Sequence, residues 1–369
     1  MRAGELLHRS VGIMVESTDG RLLVHRRALT KDLRPGWWDI AAGGVVSAGE
    51  SYEVAAEREL AEELGVSGVP LRRVGGLRYD SPTLHTYLKL YRVSHDGPFH
   101  FADGEVEEAL FVDAAELRER LATDSFMPDS LRAGLPFVGR PSSAWSEAVV
   151  DSITRHLPTF ADAERAEPMR SYMKDRFEFL GVPAPARRLG QKAAWAGLGA
   201  PPSGDDLLQA VRSLVALEPR EYTYAAIDLV ARHIKRVDSA DVLADHIEPL
   251  LVTWPWWDSV DGLIGAAVGP LVRRFPDLVQ VIERWSGSGD RWLVRAAILH
   301  QLHSGTTTDA DRLFELCRRH AHDREFFVAK AIGWALRTYA RHDPSAVVRF
   351  VDATPMQPLS RREALKHLR

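Results

Sequence analysis

The 369-residue chain has a single cysteine, Cys317, so it can hold neither an internal disulfide nor a zinc site built from several thiolates. It has no apolar run of about 18 residues or more, and with that no candidate membrane span. The opening residues, Met1-Arg2-Ala3-Gly4-Glu5, lack the apolar stretch of a secretory signal. Low-complexity tracts are missing too. These absences lead us to expect a globular, cytoplasmic protein, and the length suggests two domains rather than one core. Charge of one sign is also scarce: the net value is −4, with 17 Lys and Arg against 22 Asp and Glu in residues 1–142 and a net of +1 beyond. Neither part is basic enough for composition alone to imply nucleic acid.

Two textures divide what is present. In the first 135 residues, strand-like runs at 10–16 and 21–26 flank a Ser-Thr-Asp-Gly turn. A helical pattern follows at about 51–64, then strands near 71–79, 84–94 and 107–112 and a short helix at 114–121. Residues 136–143 read as a linker. From 144 to 369 apolar residues recur at helical spacing, as in 205–217, 222–234, 240–252, 292–302 and 326–339. Helices of that length joined by short turns suggest stacked helical pairs. Basic doublets fall at Arg187-Arg188, Lys235-Arg236, Arg273-Arg274, Arg318-Arg319 and Arg361-Arg362, a spacing close to that of HEAT-type repeats. They could form a phosphate-tracking ridge, or simply sit where basic residues favour helix C-termini.

Residues 44–66 carry the densest pattern. Gly44 is followed by Glu50 and then by Arg58-Glu59-Leu60-Ala61-Glu62-Glu63-Leu64-Gly65-Val66. On a helix Glu59, Glu62 and Glu63 stand at i, i+3 and i+4 and share one face. Three carboxylates at that spacing repel one another unless a cation lies among them, and a hard, oxygen-seeking ion such as Mg2+ or Mn2+ suits them. Gly44 and Gly49 permit a tight preceding loop, and Arg58 can reach back to Glu50 to fix that loop to the helix. An acidic trio alone would read as a solvated helix face.

Every fixed position of the signature is filled, however, and the segment resembles the Nudix box. The resemblance implies an α/β/α sandwich and a magnesium-dependent hydrolase that cuts diphosphate linkages with a metal-activated water. It also implies metal ligation by Glu59, Glu62 and Glu63, with Glu62 the candidate for polarising the water. Gly44, Glu50, Arg58 and Gly65 would be structural. Members of the family often borrow a further carboxylate from a later loop, and Glu105, Glu107 and Glu108 are the candidates. Upstream, His25-Arg26-Arg27, Lys31 and Pro35-Gly36-Trp37-Trp38-Asp39 resemble the branch related to isopentenyl-diphosphate isomerase. That isomerase needs a cysteine and a histidine in the segment where this chain has Gly43 and Val45, so hydrolysis is the expected chemistry. Trp37 and Trp38 could stack on a base or belong to the core. The expected substrate is a nucleoside diphosphate derivative, although nothing in 67–135 names a base, sugar or prenyl group.

In the second half, Trp257 and Asp261 stand four apart, so a helix would put an aromatic ring and a carboxylate on one face, a site for positive charge. The segments Ala166-Glu167-Pro168-Met169-Arg170-Ser171-Tyr172-Met173-Lys174, Trp256-Trp257-Asp258-Ser259-Val260-Asp261, Trp292-Leu293-Val294-Arg295 and Phe326–Trp334 occur in order. They resemble the DNA alkylation repair family of HEAT-like glycosylases (the AlkD type), over nearly all of 143–369. The resemblance implies an all-α HEAT-like superhelical solenoid that excises cationic alkylated purines from double-stranded DNA. A purine alkylated on a ring nitrogen is already a good leaving group, so the enzyme has chiefly to stabilise the sugar cation. By resemblance Asp261 does this, Trp257 and Trp334 contact the damaged nucleotide, Tyr172 shapes the cleft and Arg295 holds a DNA phosphate. The whole chain then reads as a bifunctional maintenance enzyme. The alternative is a Nudix hydrolase carrying a non-catalytic DNA- or protein-binding scaffold.

Overall fold

The computed structural model describes residues 7–80, 84–135, 138, 143–238 and 242–368. The expected linker, 136–143, lies outside the described residues except for Val138 and Ser143. The chain forms two compact units, one made of Met1–Trp195 with Arg212–Tyr222, the other of Ala196–Val211 with Thr223–Arg369.

A six-stranded mixed sheet organises the first unit: β1 (His8–Glu16), β2 (Leu22–Arg27), β3 (Trp38–Asp39), β4 (Arg72–Asp80), β5 (His85–Ser94) and β6 (Val106–Val112). The strand order is β3-β2-β1-β5-β4, with β6 also on β2; β1 and β5 run parallel and the other pairings are antiparallel. Residues 11–15 of β1 are buried without a break, as expected of a strand covered on both faces. One face packs Val11, Ile13 and Val15 against Ala55, Ala56, Leu60 and Leu64 of helix α1 (Tyr52–Leu64). The other packs Met14, Leu22, Val24 and Leu90 against Leu117 and Ala133. These last two belong to α2 (Ala114–Thr123) and α3 (Pro128–Gly134). Side chains set the helix ends. The Ser51 hydroxyl accepts the Val54 N–H at the start of α1, Gly65 closes that helix in the left-handed conformation at φ 70°, and Asp113 with Glu116 forms a reciprocal box on α2.

The expected strands and helices of this half all occur, with ends displaced by one or two residues. Absent from the reading were β3, too short to show alternation, and α3, which opens on Pro128.

Helices make up the rest: α4 (Ala144–His156), α5 (Ala163–Tyr172), α6 (Ala184–Trp195), α7 (Gly204–Val215), α8 (Glu221–His233), α9 (Glu248–Val252), α10 (Trp257–Leu263), α11 (Gly269–Arg274), α12 (Val279–Ser286), α13 (Arg291–Leu299), α14 (Ala310–Arg319), α15 (Phe326–Tyr339), α16 (Pro344–Ala353) and α17 (Pro358–Ala364). In the second unit α10, α13, α15 and α17 pack successively side by side, the row that stacked helical pairs produce. Two π-helical turns, Leu243–Ile247 and Ile264–Val268, lead into α9 and α11. Each is followed at the second residue by proline, Pro249 or Pro270. Proline has no N–H and collides with the carbonyl four residues back, so the ladder opens there. Among the described residues no helix is long and apolar enough to cross a membrane.

Four of the five basic doublets close or follow a helix, whereas Arg187-Arg188 lies inside α6. Their ties are internal. Arg274 donates to the carbonyls of Lys235 and Val237 and to Asp238, Arg319 to Glu283 and Ser286, and Arg361 to the Val351 carbonyl and Asp352. Arg274, Arg319 and Arg361 thus fasten neighbouring segments, which favours the helix-end reading over a phosphate ridge.

Candidate active sites

In the first unit a cavity of about 670 Å³ is bounded by Gly43, Gly44, Arg58, Glu59 and Glu62 and reaches Lys31, Glu105, Asp39 and Asp129. Helix α1 presents its acidic stripe because its apolar stripe, Leu60 and Leu64, is anchored on the sheet. Gly44 permits the close approach of loop to helix, since a Cβ there would run into the Glu59 carboxylate.

Arg58 is the hub. Its Nε and Nη2 reach the two Glu50 oxygens at 3.0 and 3.2 Å, and Nη2 also donates to the Val45 carbonyl. Nη1 lies 2.8 Å from both Glu59 Oε1 and Glu62 Oε2. The expected bond between Arg58 and Glu50 is therefore present, and Glu50 in turn accepts the Ser47 N–H. Glu63, 1% exposed, accepts the Gly43 N–H at 2.8 Å and an ion pair from Lys31 at 3.3 Å; Lys31 also pairs with Glu105. Burial pushes the Glu59 and Glu63 carboxyls up, opposed by Arg58 at the first and by Lys31 at the second.

The three carboxylates thus share the helix face but do not converge. Among the described residues no three His, Cys, Asp or Glu side chains gather closely enough to hold an ion. Like charges on adjacent turns separate, and two protein cations take them up: Arg58 holds Glu59 and Glu62, and Lys31 holds Glu63. The donor set still fits a hard divalent cation. Its ligands are carboxylate oxygens, and Glu59 is packed into a cradle that a side chain at position 44 would fill. Of the later carboxylates, Glu105 reaches this cluster through Lys31, while Glu107 and Glu108 pair with Arg26. Lys31 was visible in the sequence, but its role was not, because it meets Glu63 from 32 residues away. Trp38 is a half-buried member of β3 packed on Phe126, and Arg34 lies over Trp37.

In the second unit Asp261 and Trp257 lie on α10, as expected, and Arg295 lies on the adjacent α13. Arg295 Nε and Nη2 grip Asp261 Oδ1 and Oδ2 at 2.8 and 2.9 Å, a two-pronged pair, and Nη1 donates to the Phe327 carbonyl at 2.7 Å. Burial raises the Asp261 carboxyl and Arg295 opposes it. The guanidinium is 5% exposed, so its geometry is first that of a carboxylate holder; a phosphate could be met only through N–H groups left over. Trp334, half-buried on α15, has its ring centroid 5.9 Å from the Arg295 Cζ. Trp256, Trp292 and Phe327 form one aromatic cluster with centroids 4.8 to 5.9 Å apart. Trp292, 4% exposed, is a packing residue of this cluster. Beside Trp334 a cavity of about 320 Å³ is lined by His303, Arg341 and His342. Tyr172 is 69% exposed at the end of α5 and belongs to the first unit. On α15 Arg337 is spent internally, since it pairs with Glu363.

Residues 6–132 match the NUDIX domain, and residues 153–368 match the family described as DNA alkylation repair enzyme. An uncharacterized Nudix hydrolase of Yersinia pestis is 39% identical over 133 residues, 36% of this chain and 72% of that one. One from Streptomyces coelicolor is 41% identical over 130 residues, 35% of this chain and 72% of its own. A solved structure described as a predicted DNA alkylation repair enzyme from Enterococcus faecalis is 30% identical with a TM-score of 0.52, covering 56% of this chain and 96% of that one.

Proposed function

Since the chain belongs both to the Nudix hydrolases, through residues 6–132, and to the DNA alkylation repair enzymes, through residues 153–368, we propose that it is a two-site maintenance enzyme. One site hydrolyses a nucleoside diphosphate derivative and the other excises cationic alkylated purines from double-stranded DNA. A cytoplasmic setting suits both substrates.

At the first site Glu59, Glu62 and Glu63 would hold Mg2+ or Mn2+. A divalent ion bound there would supply charge neutralisation for the diphosphate oxygens and a lowered pKa for the attacking water. Glu62, whose side chain is 52% exposed on the cavity wall, takes the proton of that water as its oxygen attacks phosphorus and the phosphoanhydride bond breaks. Arg58 and Glu50 keep the loop and helix in register. Lys31 balances the charge of Glu63.

At the second site the observation that carries the reading is the Asp261–Arg295 pair. A carboxylate held by a two-pronged guanidinium, on a helix that also presents Trp257, is a fixed negative charge for the sugar cation that forms as the glycosidic bond breaks. The alkylated base takes the electron pair of the glycosidic bond and leaves neutral without a donated proton; water then adds to the sugar cation and releases its proton to solvent. Trp257 and Trp334 contact the damaged nucleotide. A non-catalytic scaffold gives no reason to bury a paired carboxylate at this point.

The test uses the full chain with magnesium. Glu62→Gln should lower kcat for diphosphate hydrolysis by about 100-fold or more while excision continues. Asp261→Asn should abolish release of methylated purines from methylated DNA, spare DNA binding, and leave hydrolysis alone. Unchanged turnover in the first variant, or unchanged base release in the second, would remove the corresponding half of the proposal.

A further inference from the structure

The residues matched to the alkylation repair family do not all pack among themselves. The segment Arg212–Tyr222, which holds the turn between α7 and α8, forms one compact unit with the sheet of the hydrolase domain. Glu218 in that turn reaches two strands. Its Oε1 pairs with Lys89 Nζ of β5 at 3.0 Å, and its Oε2 lies 3.4 Å from Arg73 Nη1 of β4. The turn is itself fixed: the N–H of the buried Arg220 donates to the Glu178 carbonyl at 2.8 Å, and its guanidinium lies 3.9 Å from the Phe177 ring centroid. Glu218 is thus presented from a held backbone.

Lys89 is buried and, two residues from Tyr91 on the same strand, shares the sheet face that packs toward α1. Its Nζ lies 4.0 Å from the ring centroid of Tyr52, the first residue of α1, and the Arg9 Cζ lies 4.4 Å from the same centroid. Burial and then the charge of Arg73 lower the Lys89 ammonium; Glu218 opposes both, and Glu53, which accepts the Tyr91 hydroxyl at 2.9 Å, helps less. From Arg9 the contacts continue into the signature loop. Its Nη2 donates to the Glu50 carbonyl at 3.1 Å, and the Glu50 carboxylate takes Arg58, which holds Glu59 and Glu62. Two cations sharing one ring repel each other, and a carboxylate beside the inner one offsets that repulsion. Without Glu218, Lys89 is a buried charge beside Arg73 with its main counter-ion gone, so it must move or lose its proton. Either change disturbs Tyr52, and with it the seat of Arg9 on the Glu50 carbonyl.

We propose that Glu218 is a positioning residue of the diphosphate site: through Lys89, Tyr52 and Arg9 it sets the loop that carries Glu50. A turn of the alkylation repair region then helps to build the carboxylate face of the hydrolase domain, and the first activity depends on sequence that belongs to the second. This inference rests on the hydrolase reading above.

The experiment titrates the full chain with Mn2+ alone and reads binding from the electron paramagnetic resonance signal of the free ion. Glu218→Gln should weaken Mn2+ binding about 3- to 10-fold, less than the loss of a direct partner of a ligand would. With Mg2+, diphosphate turnover by the same variant should fall at limiting metal and recover when metal is raised, while base excision is unaltered. Lys89→Met breaks the same series of contacts at its next member, so adding Glu218→Gln to it should weaken binding no further. Glu147→Gln is the control for docking in general. It removes the 3.4 Å pair between Glu147 of α4 and Arg72 of β4, a contact outside this series, and Mn2+ binding should stay native. Native Mn2+ affinity in Glu218→Gln, effects that add in the double variant, or an equal loss in Glu147→Gln each overturn the proposal. Should Lys89→Met fail to fold, Glu218→Gln against Glu147→Gln still decides, since both glutamates are about half exposed. A native chain that neither binds Mn2+ nor hydrolyses a diphosphate would instead remove the hydrolase reading beneath it.

Discussion

At the scale of single residues, both sites manage buried negative charge by pairing it with a guanidinium, and the two pairs differ in what they free. Arg58 divides itself among Glu50, Glu59 and Glu62 and is partly exposed, so each bond is individually replaceable. Arg295 commits both Nε and Nη2 to Asp261 in a nearly closed environment. Lysine cannot reproduce that two-pronged contact. Arg295→Lys should therefore weaken the stabilisation of the Asp261 carboxylate against desolvation and push its carboxyl further up. The sign follows directly: activity needs the ionised form, so the acid limb of the excision profile moves to higher pH. The ratio of base release at pH 6 to that at pH 8 should therefore be smaller in the variant than in the native protein. A profile parallel to that of the native protein would show that Arg295 acts elsewhere, for example on a DNA phosphate.

At the scale of elements, the connection into α8 shows how a turn that reads as loop text is held. Glu221, the first residue of α8, is 1% exposed. Its Oε1 accepts the N–H groups of Gly181 and Val182 at 2.9 and 3.0 Å, and its Oε2 that of Leu180 at 3.0 Å. One carboxylate thus satisfies three donors ahead of α6. Glu221→Ala would strand them, and the expected cost is about 2 to 4 kcal/mol, seen as a lower midpoint in denaturant with unchanged slope. A loss below about 0.5 kcal/mol would mean that water replaces the carboxylate. Nothing in the sequence around Leu180 pointed to this bond, because Glu221 is about 40 residues away.

The same distinction explains what was legible. Helix α1 and its acidic stripe are local patterns of period 3.6, and α15 was bounded to the residue. The family resemblances were read from segments contiguous in the chain. What escaped depends on long-range contact: Lys31 with Glu63, and Arg295 with Asp261. The unexpected π-helical turns are intermediate. Pro249 and Pro270 were visible, but a helix interior that tolerates them by widening, instead of ending, is decided by packing on both sides.

At the scale of the whole molecule, protonation ties stability to pH differently in the two units. The first unit contains His25, held at about 3, and Asp39, held at about 7, both chiefly by burial. Their effects oppose. A histidine whose folded value is depressed leaves the unfolded chain binding more protons, so stability is lost as pH falls below about 6.5. A carboxyl whose folded value is raised leaves the unfolded chain releasing its proton first, so stability is lost as pH rises toward 7. The second unit has His300 at the end of α13, 3% exposed and held at about 4 by burial, with its Nδ1 2.6 Å from the Ala297 carbonyl. Between about pH 6.5 and 4 the unfolded chain takes up the proton that folded His300 refuses. The contribution is complete above pH 6.5 and declines through that window, by about 2 kcal/mol between pH 7 and 5. His300→Gln keeps a side-chain donor but cannot titrate, so its loss of stability between pH 7 and 5 should be smaller by that amount. Hydrogen exchange resolved by peptide can assign the difference to the helices around α13 and leave the sheet of the first unit as the internal control. Equal losses in the native protein and the variant would show that His300 is protonated in the folded state, and that the burial argument fails there.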